Sequence, residues 1–248
     1  MMRTAIILIY RWTITALSMF IVGTIAFLLV FLSFGLLRNF FVRYVFSYGA
    51  RLLLVLFGYQ YKALPVSSFP KKQVIYVINH NSYLDIFMLS ALGLPDTRYV
   101  LSEITFKFVY LTITAKAMGT FYIPQKKHGK RRLKFFIRMT EYLKRHPISL
   151  IVSAEGVRQY THGIQPFNKG IFHMAMEAGL PMVPLYLHIP EELNPYKGKM
   201  SKTGKIHLEI LGEVDTSGWK LESIWDEIHK FRQMYVDRFN ELNGTSIT

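Results

Sequence analysis

The 248-residue chain contains no cysteine. That absence excludes disulfides, thiolate nucleophiles and cysteine-ligated zinc, and it leaves the redox compartment open. Acidic residues are scarce: 16 Asp and Glu stand against 30 Lys and Arg, for a formal charge of +14. The first acid in the chain is Asp85, preceded by eight basic residues: Arg3, Arg11, Arg38, Arg43, Arg51, Lys62, Lys71 and Lys72. Such a balance favours anionic partners: nucleic acid, lipid headgroups or phosphate-bearing substrates. Several catalytic signatures are also missing. There is no G-x-S-x-G elbow, P-loop, H-E-x-x-H or dinucleotide fingerprint, so no metal or nucleotide cofactor is expected. No internal repeat and no low-complexity linker is present.

Apolar residues, by contrast, are abundant. They make up 51% of the chain, with 15% aromatic, which is high for a soluble domain and low for a multi-span transporter. A globular domain with membrane attachment fits, and the partner choice tilts from nucleic acid to lipid. Residues 13–37 carry no charge. As a helix they would extend about 37 Å, enough for a hydrocarbon core of about 30 Å. The run is long for a signal-peptide core and no A-x-A site follows, so it reads as a retained membrane helix. Arg38, Arg43 and Arg51 after it, against Arg3 and Arg11 before it, place the main domain on the cytoplasmic face of an inner or cytoplasmic membrane. A second apolar stretch, 40–61, is interrupted by Arg43 and Arg51, which can snorkel. It reads as a helix in one leaflet, with a second span as the alternative. Residues 1–64 are thus expected to form a membrane-anchoring helical hairpin, with 65–70 leading into the main domain, 65–248.

From Gln73 the pattern is α/β: a mixed central sheet flanked by helices. Strands are predicted over 73–78, 98–101, 120–123, 148–152, 182–189 and 205–211. Helices are predicted over 86–92, 106–117, 130–145, 170–178 and about 221–242. The last has an apolar stripe of Leu221, Ile224, Trp225, Ile228, Phe231, Tyr235, Phe239 and Leu242. The most basic run, 126–134, leads into the third helix and is suited to anionic headgroups or the phosphates of a thioester donor, or else forms a solvated basic face.

The stretch around Val74-Ile-Tyr-Val-Ile-Asn-His-Asn-Ser-Tyr-Leu-Asp85 carries the chemistry. An apolar strand stops at Asn79, a polar loop follows, and Asp85 opens an apolar helix that Asn81 or Ser82 would cap. On one helix, residues five apart point about 140° away from each other. His80 therefore meets Asp85 only from a non-helical loop. There the carboxylate would fix the imidazole tautomer and leave the other nitrogen as a base. About 70 residues later the logic recurs. The predicted strand at 148–152 ends in Glu155-Gly156-Val157-Arg158, where open α/β sheets place ligands. Gly156 permits close backbone approach, and Arg158 is suited to a phosphate.

These stretches resemble the glycerophospholipid acyltransferase family, which contains the 1-acylglycerol-3-phosphate acyltransferases. The likeness rests on His80 through Asp85, on Glu155-Gly-Val-Arg158, on Phe167-Asn-Lys169-Gly170, and on Gly179-Leu-Pro-Met-Val-Pro184. It spans about residues 55–215. The resemblance implies acyl transfer from acyl-CoA or acyl-carrier protein as co-substrate to a lysophospholipid hydroxyl, by default that of 1-acyl-sn-glycerol-3-phosphate. His80 and Asp85 would be catalytic; Glu155, Gly156, Arg158, Lys169, Gly119 and Gln125 would bind substrate. No serine nucleophile is needed, because the acceptor oxygen attacks. Two positions depart from the family pattern: Gln125 and Ser102 stand where family members usually carry Arg and Lys. They raise the alternative of a larger-headed lysophospholipid or an amino-acid lipid as acceptor. A non-catalytic membrane lipid-binding protein is the further alternative.

Overall fold

The computed structural model describes residues 2–80, 82–156, 163–194 and 203–244. Two helical segments open the chain. α1 (Met2–Ala26) continues through a π-helical turn, Phe27–Phe31. The chain then reverses, and α2 (Arg38–Phe40), a second π-helical stretch (Phe41–Phe46) and α3 (Ser47–Leu56) run back as one helix. Both limbs are long and apolar enough to cross a membrane.

The α/β body follows. Its strands are β1 (Tyr59–Tyr61), β2 (Ile75–Ile78), β3 (Thr97–Ser102), β4 (Phe121–Ile123), β5 (Ser149–Ser153), β6 (Met182–His188) and β7 (Gly204–Ile210). Its helices are α4 (Asp85–Ser90), α5 (Val109–Ala117), α6 (Gly129–Arg145), α7 (Gly170–Ala178) and α8 (Ile224–Asn243). The seven strands lie in the order β1-β7-β6-β2-β5-β3-β4, and only the β6–β7 pair is antiparallel. The sheet is mixed and flanked by helices, as expected. All six predicted strands form, within one or two residues at each end. The helix predicted over 106–117 is preceded by a 3-10 turn, Glu103–Lys107.

Two expectations are corrected. The helix predicted through 40–61 ends at Leu56, and Tyr59–Tyr61 pairs in parallel with β7. The sheet therefore takes its first strand from the segment before residue 65. Three residues with aromatic ends, Tyr-Gln-Tyr, were too short a run to stand out beside twenty apolar helical positions. At the C-terminus the helix starts at Ile224. Leu221 and Trp225 are exposed, and the buried stripe is Ile224, Ile228, Phe231, Tyr235 and Val236.

Alternation along β2 divides the core in two. Val74, Tyr76 and Ile78 face a cluster that contains Ala26, Val30, Phe41, Leu54 and Met88. Ile75 and Val77 face α6, α7 and α8 through Leu143, Phe172, Phe231 and Tyr235. The N-terminal hairpin thus covers one face of the sheet. Polar bonds tie it down along its length. Arg11 donates to Phe57 O at 2.6 Å, with its guanidinium over the Phe57 and Tyr59 rings. Arg38 Nε donates to Ala117 O at 2.9 Å, Asn39 Nδ2 to Asp96 Oδ1 at 2.8 Å, and Arg51 Nε to Ala91 O at 2.9 Å.

Tyr235 joins α8 to the strand that carries His80: fully buried, it donates its hydroxyl to Val77 O at 2.8 Å. Tyr235→Phe removes that bond alone. It should cost about 1 kcal/mol and lower the Tm by about 2–4 °C, read by thermal unfolding in detergent. An unchanged Tm would mean that the bond contributes nothing net.

Candidate active site

Strands β2 and β5, which run in parallel, and the partly parallel β6 end on one edge of the sheet, where backbone groups lose their ladder partners. Asn79 satisfies them. Its Nδ2 donates to Leu187 O at 3.0 Å and its Oδ1 accepts from Leu187 N at 2.8 Å. The side chain takes the place of a strand residue, so the main chain can leave the sheet at His80. His80 Nδ1 then meets Asp85 Oδ2 at 2.7 Å. The same oxygen accepts from Ser82 N at 3.2 Å. Asp85 is the first residue of α4 and reaches backwards over the turn. Ser82 Oγ accepts from Leu84 N, so Ser82 closes the turn before the helix and does not cap α4 itself. Asn81, the other expected cap, lies outside the described residues.

The His80 side chain is 27% exposed and that of Asp85 only 3%. The imidazole is reachable and its partner is not. Asp85 Oδ1 is buried with no hydrogen-bond partner among the described residues. The carboxylate charge is therefore shared with few donors and bears on the His80 ring. An ionised Asp85 selects the tautomer with the proton on Nδ1 and leaves Nε2 as acceptor.

Glu155 follows β5 on the same edge. It is buried, and its Oε1 accepts from the His80 backbone N at 3.4 Å. Burial pushes its carboxyl up to about 8; the nearby Asp85 charge adds to this, while the His80 N–H and Arg232 act against it. Burial thus favours the neutral carboxyl over the carboxylate. Asn168, two residues before α7, shapes this turn by donating Nδ2 to Ala154 O (2.7 Å) and Glu155 O (2.8 Å). Gly156 has φ +69°, and a Cβ there would lie 2.9 Å from Asn168 Nδ2. Only glycine fits.

The remaining expected residues divide. Gln125 is near: its backbone N donates to Glu103 Oε1, which with Arg131 holds the Glu103 carboxyl below the usual range. The uncharged Ser102 caps the turn that carries Glu103. Lys169 is exposed and stands 5.9 Å from the Trp225 ring centroid, engaged with α8. Gly119 is placed elsewhere. It precedes β4 at the level of Arg98, which pairs with Leu150, as does Ile75. That is five positions, about 16 Å of strand, from the His80 level. Its φ of +74° and an Arg98 Nε only 2.7 Å from where its Cβ would stand account for the glycine. Arg158 and Val157 lie outside the described residues. Among the described residues no three His, Cys, Asp or Glu side chains are grouped to hold a metal ion.

Sequence reasoning did not single out the structural work of Asn79 or Asn168, nor Arg132. Asn79 was visible only as the residue at which an apolar run stops. Arg132 was hidden in a basic run. It donates Nη1 to Pro124 O at 3.0 Å, and burial pulls its guanidinium below the ordinary value.

The buried Glu155 makes stability depend on pH. Between its ordinary value of 4.5 and about 8, the unfolded chain releases a proton that the folded chain keeps. Stability should therefore fall as pH rises across that window. In Glu155→Gln this loss should disappear: relative to wild type, its Tm should rise from pH 5 to pH 8. Parallel Tm profiles for the two proteins would show that Glu155 ionises as freely as in the unfolded chain.

The sequence model of the Acyltransferase family matches residues 61–188, slightly more than half of the chain. A 1-acyl-sn-glycerol-3-phosphate acyltransferase of Saccharomyces cerevisiae is 28% identical over 191 residues, covering 76% of this chain and 62% of the yeast protein. A protein of the same name from Haemophilus influenzae is 24% identical over 174 residues, covering 69% of this chain and 70% of its own length. The aligned region thus spans less than two thirds of the yeast relative. The crystal structure of the 1-acyl-sn-glycerophosphate (LPA) acyltransferase PlsC from Thermotoga maritima has the same fold, with a TM-score of 0.76 at 18% identity, covering 100% of this chain and 99% of that one. A match across the strands and loops that assemble His80, Asp85 and Glu155 makes this chain a member of the Acyltransferase family.

Proposed function

We propose that the protein is a membrane-bound O-acyltransferase. It moves an acyl chain from a thioester, acyl-CoA or acyl-carrier protein, to the free hydroxyl of a lysophospholipid. The acceptor is 1-acyl-sn-glycerol-3-phosphate and the product phosphatidic acid. The observation that carries this reading is the 2.7 Å contact of His80 Nδ1 with the buried Asp85 carboxylate, which leaves Nε2 as a reachable base. The acceptor oxygen attacks the thioester carbonyl as Nε2 takes its proton. Asp85 stays ionised and stabilises the imidazolium. Collapse of the tetrahedral intermediate breaks the C–S bond, and Nε2 returns the proton to the departing thiolate. Ester and free thiol are the products. The names borne by the yeast and Haemophilus relatives support the choice of acceptor.

The outer face of the hairpin supports membrane attachment: Trp12, Phe20, Phe27, Phe34, Tyr48 and Val55 are all exposed. Arg11 binds the body near one end of α1, and Arg38 binds it just after the reversal. A hairpin fastened at both ends to a polar body cannot cross the bilayer without drawing that body in. It lies in one leaflet, with the body at the surface of that leaflet. The acyl chain of the acceptor then stays in lipid, which avoids about 0.8 kcal/mol for each methylene that would otherwise be exposed.

Thiol release by the purified protein, from acyl-CoA and acyl-carrier protein with a panel of lyso-acceptors, tests the reaction. His80→Ala should lower kcat by about 10²- to 10⁴-fold, with Asp85→Asn also impaired. Release only with a larger-headed lysolipid would move the acceptor to the reading that Gln125 and Ser102 suggest. Bound lysolipid with no thiol release would favour a binding protein. The absence of native cysteine makes the topology directly testable through Phe34→Cys in sealed vesicles. The thiol should react with an impermeant reagent only after detergent is added. Reaction from the side opposite the body would establish a span.

A further inference from the structure

Arg132 projects from the start of α6 towards the candidate site. Its guanidinium is held on two sides. Nη1 donates to Pro124 O, and Cζ lies 5.5 Å from the Phe136 ring centroid. Phe136 is itself fixed against Gly170, where two ring carbons lie 2.6 Å from the position a Cβ would take. Nη2 points the other way and lies 3.8 Å from the position of a Cβ on Gly156. Gly156 adjoins Glu155, whose carboxyl receives the His80 N–H. The group is thus anchored at the Pro124–Gln125 turn and presented at the turn that borders the candidate base.

No carboxylate pairs with Arg132 among the described residues; the adjacent Arg131 has Glu103, and Arg238 has Glu209 and Glu241. Of the other described cations, Lys126 and Lys127 after Gln125 are exposed to solvent, and two more are engaged. Arg232 donates to Gln165 O and Ile164 O, and Lys169 stands over Trp225. A half-buried guanidinium without a counter-ion is costly unless a ligand brings the anion. Burial favours the neutral form of the Glu155 carboxyl, which weakens its repulsion of such an anion. In a 1-acylglycerol 3-phosphate the phosphate is borne by the carbon next to the one bearing the reacting hydroxyl. A cation for that phosphate must therefore stand close to the base, and Gln125 and Ser102 supply none.

We infer that Arg132 binds the phosphate of the acyl acceptor, taking paired hydrogen bonds through the guanidinium edge that faces Gly156. This rests on the proposed acylation of a lysophospholipid. It sets specificity: Arg132 selects acceptors with a phosphate beside the hydroxyl and takes no part in proton transfer.

The test compares Arg132→Gln, which loses the charge, with Arg132→Lys, which keeps it, in detergent-purified full-length protein. Arg132→Gln should raise the KM for 1-acylglycerol 3-phosphate by about 10- to 100-fold, with kcat within about twofold of wild type. Arg132→Lys should recover most of that loss. Equilibrium binding of the same acceptor is measured in parallel on the His80→Ala background without acyl donor, so that no turnover occurs. There Arg132→Gln should weaken Kd by the same factor, and the binding of monoacylglycerol, which has no phosphate, should not change. Glutamine and lysine variants with the wild-type Kd would overturn the inference. So would an equal loss of affinity for both acceptors. Wild-type protein without acyl transfer to any acceptor would instead defeat the proposed reaction, and the binding arm would still decide the role of Arg132.

Discussion

The structure depends on how β2 ends. Its ladder with β6 stops at Ile78 opposite Leu185, yet β6 runs on to His188. A strand that leaves a sheet early strands the backbone groups of its neighbour, and burial makes that expensive. The Asn79 amide bonds both the N–H and the C=O of Leu187 and so removes the penalty. With the ladder closed by a side chain, the backbone is free to turn within six residues and bring His80 back to Asp85. The Asn168 amide does the same work across the edge, pinning the turn of Glu155 and Gly156 after β5. Two amides thus hold the site between three strand ends.

Within that frame, electrostatics is arranged by burial. Asp85 is nearly inaccessible and is met by the His80 ring and the Ser82 amide. Glu155, close by, is driven towards its neutral form. Two adjacent buried carboxyls that both ionised would repel each other and any anionic substrate. Keeping one neutral limits that repulsion.

The N-terminal hairpin serves fold and location together. Its inner face supplies Ala26, Val30, Phe41 and Leu54 to the core, and with α4 it covers one face of the sheet. Its outer face is apolar across both limbs. Arg11, Arg38 and Arg51 turn inwards and bond carbonyls at or just past the ends of helices. A charge pattern that reads as a topology signal in one dimension is, in three, a set of fasteners.

The sequence by itself determined the α/β alternation, the six strands other than β1, the position of each body helix and the pairing of His80 with Asp85. Those features rest on local periodicity and on short-range geometry, which a linear reading captures. It also marked Glu155 and Gly156, because a buried strand ends just before them. Tertiary structure alone decided the rest. β1 is three residues long and exists because β7 is there to pair with it. Gly119 lies beside Arg98 at the far end of the strands, because the register between β3 and β4 sets its level. The raised Glu155 carboxyl comes from burial by elements distant in the chain. Arg132 acquires its place only when α6 packs against the α7 start. Each of these depends on contacts between distant segments, and composition or spacing along one strand of sequence does not encode which segments will meet.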